Sequence, residues 1–249
     1  MFILFSLIVM RMSGAVALNP ILGRSNYPRT AKGALILMLS LLLYTGFGGR
    51  LAHEPSSMAE YAVMLATELL FGFVIGFSME LSFLTVRFAS AIMDHSMGLT
   101  MAQVYDPEQH TQVTLTSSMF YTLLAMLFFA SDGHLRLIEI FYNSARRIPF
   151  GTVSLRPELS LAMLDIFRGC IVLGLQLAFP LIAMELLAET AVGILMRMIP
   201  QINVFSVNFQ VKIIVGLTML VLMFGPMSDK LYLILDNMFQ SMETLVTLI

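Results

Sequence analysis

Arg197-Met-Ile-Pro-Gln-Ile-Asn-Val-Phe205 lies between two strongly apolar segments, 169–196 and 213–224. Pro200 cannot donate a backbone hydrogen bond, and it biases Ile199 away from helix. The amides of Gln201 and Asn203 need partners. A charge such as Arg197 costs at least ~2.5 kcal/mol at mid-bilayer depth. The stretch is therefore either a water-exposed turn or a polar joint inside a protein assembly.

The chain around it is 58% hydrophobic and 12% charged, with a mean hydropathy of +0.85. Soluble domains hold ~45–50% apolar and ~25% charged residues. Composition alone points to an integral membrane protein. The net charge of -2 gives no electrostatic case for nucleic acid. The single cysteine, Cys170, excludes an intramolecular disulfide and any cysteine-based zinc cluster, and its apolar context reads as a small buried hydrophobe. The apolar stretch Met1–Met10 mimics a signal peptide, but it has no basic start and Arg11 follows it, so a first helix is expected there.

Helical segments are expected over 2–19, 31–49, 59–97, 114–131, 135–147, 158–198, 204–224 and 228–247. Asn19-Pro20, Tyr27-Pro28, Asp106-Pro107 and Asp132-Gly133 punctuate them. Pro180 should kink the longest segment. No linker divides the chain, so residues 1–249 are expected to form a single membrane domain of all-α class.

Charges interrupt most of these segments: Arg11, Glu68, Glu80, Arg168, Glu185 and Glu189. The uncharged run Ile213–Ser228 has only 16 residues, fewer than the ~20 a lipid-crossing helix needs. Many faces therefore should meet protein. Arg11 and Arg87 can be read as side chains that snorkel from span ends. That reading suits Glu68, Glu185 and Glu189 less well. Glu80, Arg87 and Asp94 recur every seven residues and share a face, while Glu185, Glu189, Gly193 and Arg197 recur every four. These stripes suit subunit or intramolecular interfaces; an ion pathway and no special role are the other readings. Gly72 and Gly76 form a GxxxG pair, which permits close helix approach. The 20–33 loop carries three basic and no acidic residues, and 133–157 carries four Arg against Glu139, so both would be cytoplasmic by charge bias. The 21 methionines suit ordinary helix packing, or a deformable seal around a passing chain.

No GxxxxGK[ST] or HExxH is present, and His53, His95, His110 and His134 are scattered. No nucleotide, metal or other cofactor is expected, and no enzyme activity. The loop Gly98-Leu-Thr-Met-Ala-Gln-Val-Tyr-Asp-Pro-Glu-Gln-His-Thr-Gln-Val113 interrupts the apolar chain. It mixes Met101, Val104 and Tyr105 with short polar residues around Asp106 and Pro107. A solvent turn is the plainer reading of these residues. A loop projecting into an aqueous pore is the other, since non-helical backbone at membrane depth needs protein or water around it.

The motif Arg197-x-x-Pro-Gln-x-Asn-Val-Phe205, with Lys212 and Gly216, resembles the FliR/SctT family of the bacterial type III export gate. The likeness continues through Arg11, Pro20, Pro28, Lys32, Glu68, Gly72, Gly76, Asp94, Gly98, Asp106, Pro107, Gly133, His134, Ser144, Pro149, Pro180 and Gly193. Gln210 departs from it, standing where the family usually has Pro. The resemblance implies a subunit of the flagellar type III export gate, with helical hairpins packed inside a larger helical assembly. It implies that 98–113 plugs the closed channel, and it favours that reading over the solvent turn. Implied partners are the P-type and Q-type subunits FliP and FliQ, FlhB-like and FlhA-like export proteins, membrane lipid and unfolded protein in transit. The implied location is the bacterial inner membrane, at the flagellar basal body. A virulence injectisome subunit is the nearest alternative. A proton-coupled secondary transporter using Glu68, Glu185 or Glu189 is the alternative from a different class, but no inverted repeat supports it.

Overall fold

A computed structural model describes residues 2–23, 28–47, 53–101, 103–106, 111–154, 157–198 and 204–248. The helices are α1 (Phe2–Ala17), α2 (Arg29–Phe47), α3 (Met58–Ser96), α4 (Leu115–Ala130), α5 (Gly133–Arg147), α6 (Pro157–Met198), α7 (Val204–Leu222) and α8 (Phe224–Leu248). A short antiparallel hairpin, β1 (Gln103–Asp106) and β2 (Thr111–Thr114), separates α3 from α4. Among the described residues the regular structure is helical apart from that hairpin. The hairpin was not foreseen, although Val104-Tyr105 and Val113 are strand-favouring residues.

Close contacts group the chain into two compact units. One holds Met1–Ser82, Phe128–Arg168 and Leu235–Ile249; the other holds Phe83–Leu127 and Gly169–Ile234. α3, α4, α6 and α8 contribute to both.

In the first unit, α1 buries Leu4, Leu7, Ile8, Arg11, Met12 and Ala15. Their spacing is that of one helical face. The facing surface of α3 is Phe71, Ile75 and Met79, also fully buried. The two backbones approach at their smallest residues. A Cβ on Gly72 would collide with Arg11 O, and one on Gly14 with Leu69 O. One on Gly76 would sit 2.6 Å from Ala15 O. α5 is amphipathic: Leu137, Ile140, Phe141 and Ser144 are buried, while Arg146 and Arg147 occupy its last turn, where positive charge suits the helix dipole.

In the second unit, Phe83 meets the Tyr121 ring edge-on at 5.4 Å. The Arg87 guanidinium lies 4.0 Å from the same ring. Cys170 is half-buried rather than fully enclosed.

α3 and α6 are long and apolar enough to cross a membrane, and α7 with α8 forms a further candidate bent by 66° at Met223. With 39 and 42 residues, α3 and α6 run to roughly 58 and 63 Å at ~1.5 Å per residue. That is about twice the hydrocarbon thickness of a bilayer. α6 is unbroken at Pro180, where one ladder bond is missing. Its apolar residues point largely outward: Leu161, Leu164, Phe179, Leu187 and Ile194 are exposed. Such a surface has to be covered by lipid or by another chain.

Candidate functional site

Arg11 and Glu68 make the most costly arrangement in the first unit. Both side chains are completely buried. Arg11 Nε donates to Glu68 Oε2 at 2.6 Å, and Nη2 donates to Oε1 at 3.1 Å. This two-pronged geometry is the strong form of a charge pair. Nη1 and Nη2 also reach the Ile148 carbonyl, each at 3.3 Å. The guanidinium lies 4.9 Å from the Phe71 ring and 4.3 Å from that of Phe150. Glu68 Oε1 takes a further hydrogen bond from Gly151 N at 2.8 Å. Gly151 has a φ of 88°, which only glycine adopts freely. The alternative reading of Arg11, as a side chain that snorkels from a span end, therefore does not hold. The segment after Met10 is not a span end but the packed middle of α1, and Glu68 one helix away supplies the counter-charge. A pairing 57 residues apart leaves no local signal beyond two charges in apolar runs.

In the second unit, the hairpin rises from a tightly bound root. Its register pairs Gln103 with Thr114, Val104 with Val113, Tyr105 with Gln112 and Asp106 with Thr111. α3 ends at Ser96, and Gly98, with a φ of 75°, turns the chain away from the helix. A Cβ there would sit 3.4 Å from Phe209 Cε2 on α7. Met97 is fully buried, and a side chain on Gly216 would overlap it. Asp94, also fully buried, accepts a hydrogen bond from Thr116 N at 3.2 Å. Met101 closes a short turn of 3-10 helix, Leu99–Met101, before the first strand. Pro107 lies outside the described residues.

The stripe on α6 runs from inside to outside. Glu185 is 2% exposed, and neither of its carboxylate oxygens has a hydrogen-bond partner among the described residues. A Cβ on Gly216 would lie 2.9 Å from Glu185 Oε1. One turn on, half-exposed Glu189 pairs with Lys212 Nζ at 3.1 Å. Gly193 has open space around its α-carbon, and Arg197 is exposed. Among the described residues the stripe is an internal interface only at Glu185 and Glu189. Pro200, Gln201 and Asn203 lie outside the described residues. On α3, Arg87 and Asp94 both turn toward α4, through Tyr121 and Thr116.

Long apolar helices, a charge pair sealed between α1 and α3, and wide exposed apolar faces define an all-helical membrane protein that other molecules must cover. Residues 2–238 match the bacterial export proteins, family 1, and the chain belongs to that family. It is 29% identical to the flagellar biosynthetic protein FliR of Escherichia coli (strain K12), over 85% of this chain and 80% of that one. It is 24% identical to the FliR of Bacillus subtilis (strain 168), over 98% and 94%. It is 28% identical to the secretion system apparatus protein SsaT of Salmonella typhimurium, over 72% of each. The chain is thus a membrane-embedded member of an export-apparatus family.

Proposed function

We propose that this chain is a subunit of the flagellar type III protein export gate. It helps to form and close the channel through which unfolded flagellar proteins leave the cytoplasm. The observation that carries the reading is similarity to FliR proteins along nearly the whole chain. The exposed apolar length of α6 supports it, because a gate subunit needs surface for neighbours. The partners are FliP, FliQ and the FlhB-like and FlhA-like export proteins, and the place is the inner membrane at the flagellar basal body. The chain acts as conduit and gate, with no chemistry of its own.

Residues 98–113 are the closure element. Gly98 and Met101 lead into a short hairpin on a fixed root, Val104, Tyr105 and Asp106 belong to its first strand, and Pro107 follows them in sequence. The hairpin's apolar members exclude water only while they stay in place. Glu68, Gly72, Gly76, Glu185, Glu189, Arg197, Pro200, Gln201 and Asn203 serve packing and assembly. Shortening the hairpin should leave the gate assembled and make the membrane leak ions, as read by conductance in planar bilayers. An assembled, equally tight gate would return the loop to an ordinary turn. The likeness to SsaT favours a second reading, the equivalent subunit of a virulence injectisome. Loss of flagellar secretion on deleting the gene, restored by this chain, separates the two.

A further inference from the structure

The start of α4 is capped from elsewhere. Thr114 precedes Leu115 and so occupies the position whose side chain normally accepts the amide of the second or third helical residue. It does not do so: Thr114 Oγ1 is buried and has no hydrogen-bond partner among the described residues. The amide of Thr116 instead donates to Asp94 Oδ2, in the last turn of α3. An acidic residue at a helix C-terminus is disfavoured by that helix's own dipole, whereas at an N-terminus it is favoured. Asp94 therefore makes electrostatic sense through α4 and not through α3. The two helix ends that it ties together are the two roots of the hairpin. Arg87 and Phe83, both against Tyr121, tie the same helices further along.

We propose that Asp94 is the positioning residue of the closure hairpin: its carboxylate caps α4 from α3 and so fixes both hairpin roots at one point. The proposal rests on reading 98–113 as the closure element. With Asp94 in place, the hairpin is an extension of a braced helix pair. Without it, the first turn of α4 frays, and the returning strand loses its fixed end.

The test uses the gate purified with its partner subunits, comparing wild type, Asp94→Ala, Asp94→Asn, Asp94→Leu, Thr116→Pro and a hairpin-shortened chain. Native electrophoresis reads assembly, planar-bilayer conductance reads tightness, and amide exchange reads the first turn of α4. Asp94→Ala should assemble at wild-type yield, leak, and speed exchange in that turn by about 2- to 30-fold, the range expected for a lost cap. Asp94→Asn keeps an acceptor oxygen and should restore most of the tightness, whereas Asp94→Leu, of similar size but with no acceptor, should leak as Asp94→Ala does, which a merely steric role would not predict. Thr116→Pro removes the donor while leaving Asp94 intact, and proline is tolerated in a first helical turn. It should leak too, and it decides the matter if Asp94→Ala fails to assemble. A tight Asp94→Ala or Thr116→Pro gate beside a leaky shortened one overturns the anchor and leaves the closure reading standing. If the shortened gate is also tight, the closure reading falls and the anchor falls with it.

Discussion

Replacing Arg11 with Met should be among the most damaging single changes in this chain. The substitution keeps most of the side-chain volume and removes the charge. Glu68 would then be left in a fully buried place, with the Gly151 amide at 2.8 Å as its remaining donor among the described residues. The Ile148 carbonyl would lose both of its guanidinium contacts. Breaking a buried pair by removing one partner costs ~3–5 kcal/mol, because the survivor stays desolvated. At about 2–4 °C per kcal/mol for chains of this size, the melting midpoint should fall by about 6–20 °C. The double variant Arg11→Met/Glu68→Leu removes both charges and should recover most of the loss, since an apolar replacement of a whole buried pair is often neutral or stabilising. The assay is the thermal midpoint of the purified gate in detergent, read by circular dichroism and by size-exclusion retention after heating. A single variant that melts within about 2 °C of wild type would refute the reasoning, as that shift corresponds to ~1 kcal/mol or less. So would a double variant no better than the single one.

Gly72→Leu should be more disruptive than Gly193→Leu, because the former meets Arg11 O while the latter has open space; overpacking typically costs ~1–3 kcal/mol, and thermal midpoints of the two gates would show the difference. Equal midpoints would contradict the close α1–α3 approach as a stability requirement. Arg197→Ala should reduce the yield of assembled gate more than Arg50→Ala, with unchanged helical content in the chain itself, because Arg197 is exposed within the chain and belongs to the Pro-Gln-x-Asn joint. Equal yields on native electrophoresis would remove Arg197 from the interface.

The helices were legible because their signals are local. The expected 59–97 and 158–198 match α3 and α6 within a residue at each end. Long apolar periodicity and the Pro and Gly punctuation set those limits. The expected 31–49 starts two residues late against Arg29; the carbonyl of Pro28 accepts the first bonds, from Ala31 and Lys32, so the helix starts directly after it. The hairpin was hidden because each of its strands has only four residues, too few for a clear period-two pattern. Arg11 and Glu68 were each visible as odd charges, but not as a pair. Nothing local in either segment states which helix lies opposite. The same holds for Asp94, whose partner is a backbone amide across the hairpin, a group that every non-proline residue carries. Glu185 was visible as a charge in an apolar run, yet its burial depends on Gly216 of α7, which makes room for it by having no side chain.

The most direct test of the export-gate reading is co-purification. The chain should be expressed in detergent-extractable membranes with and without the P-type and Q-type subunits of the same bacterium, and each preparation sized and heated. The expected result is one discrete complex containing this chain and both partners. Without them the chain should aggregate or be lost, because the outward apolar length of α6 and exposed Arg197 at its end have nothing to cover them. A monodisperse, helical monomer that survives heating alone, and that ignores the partners when they are present, would contradict it.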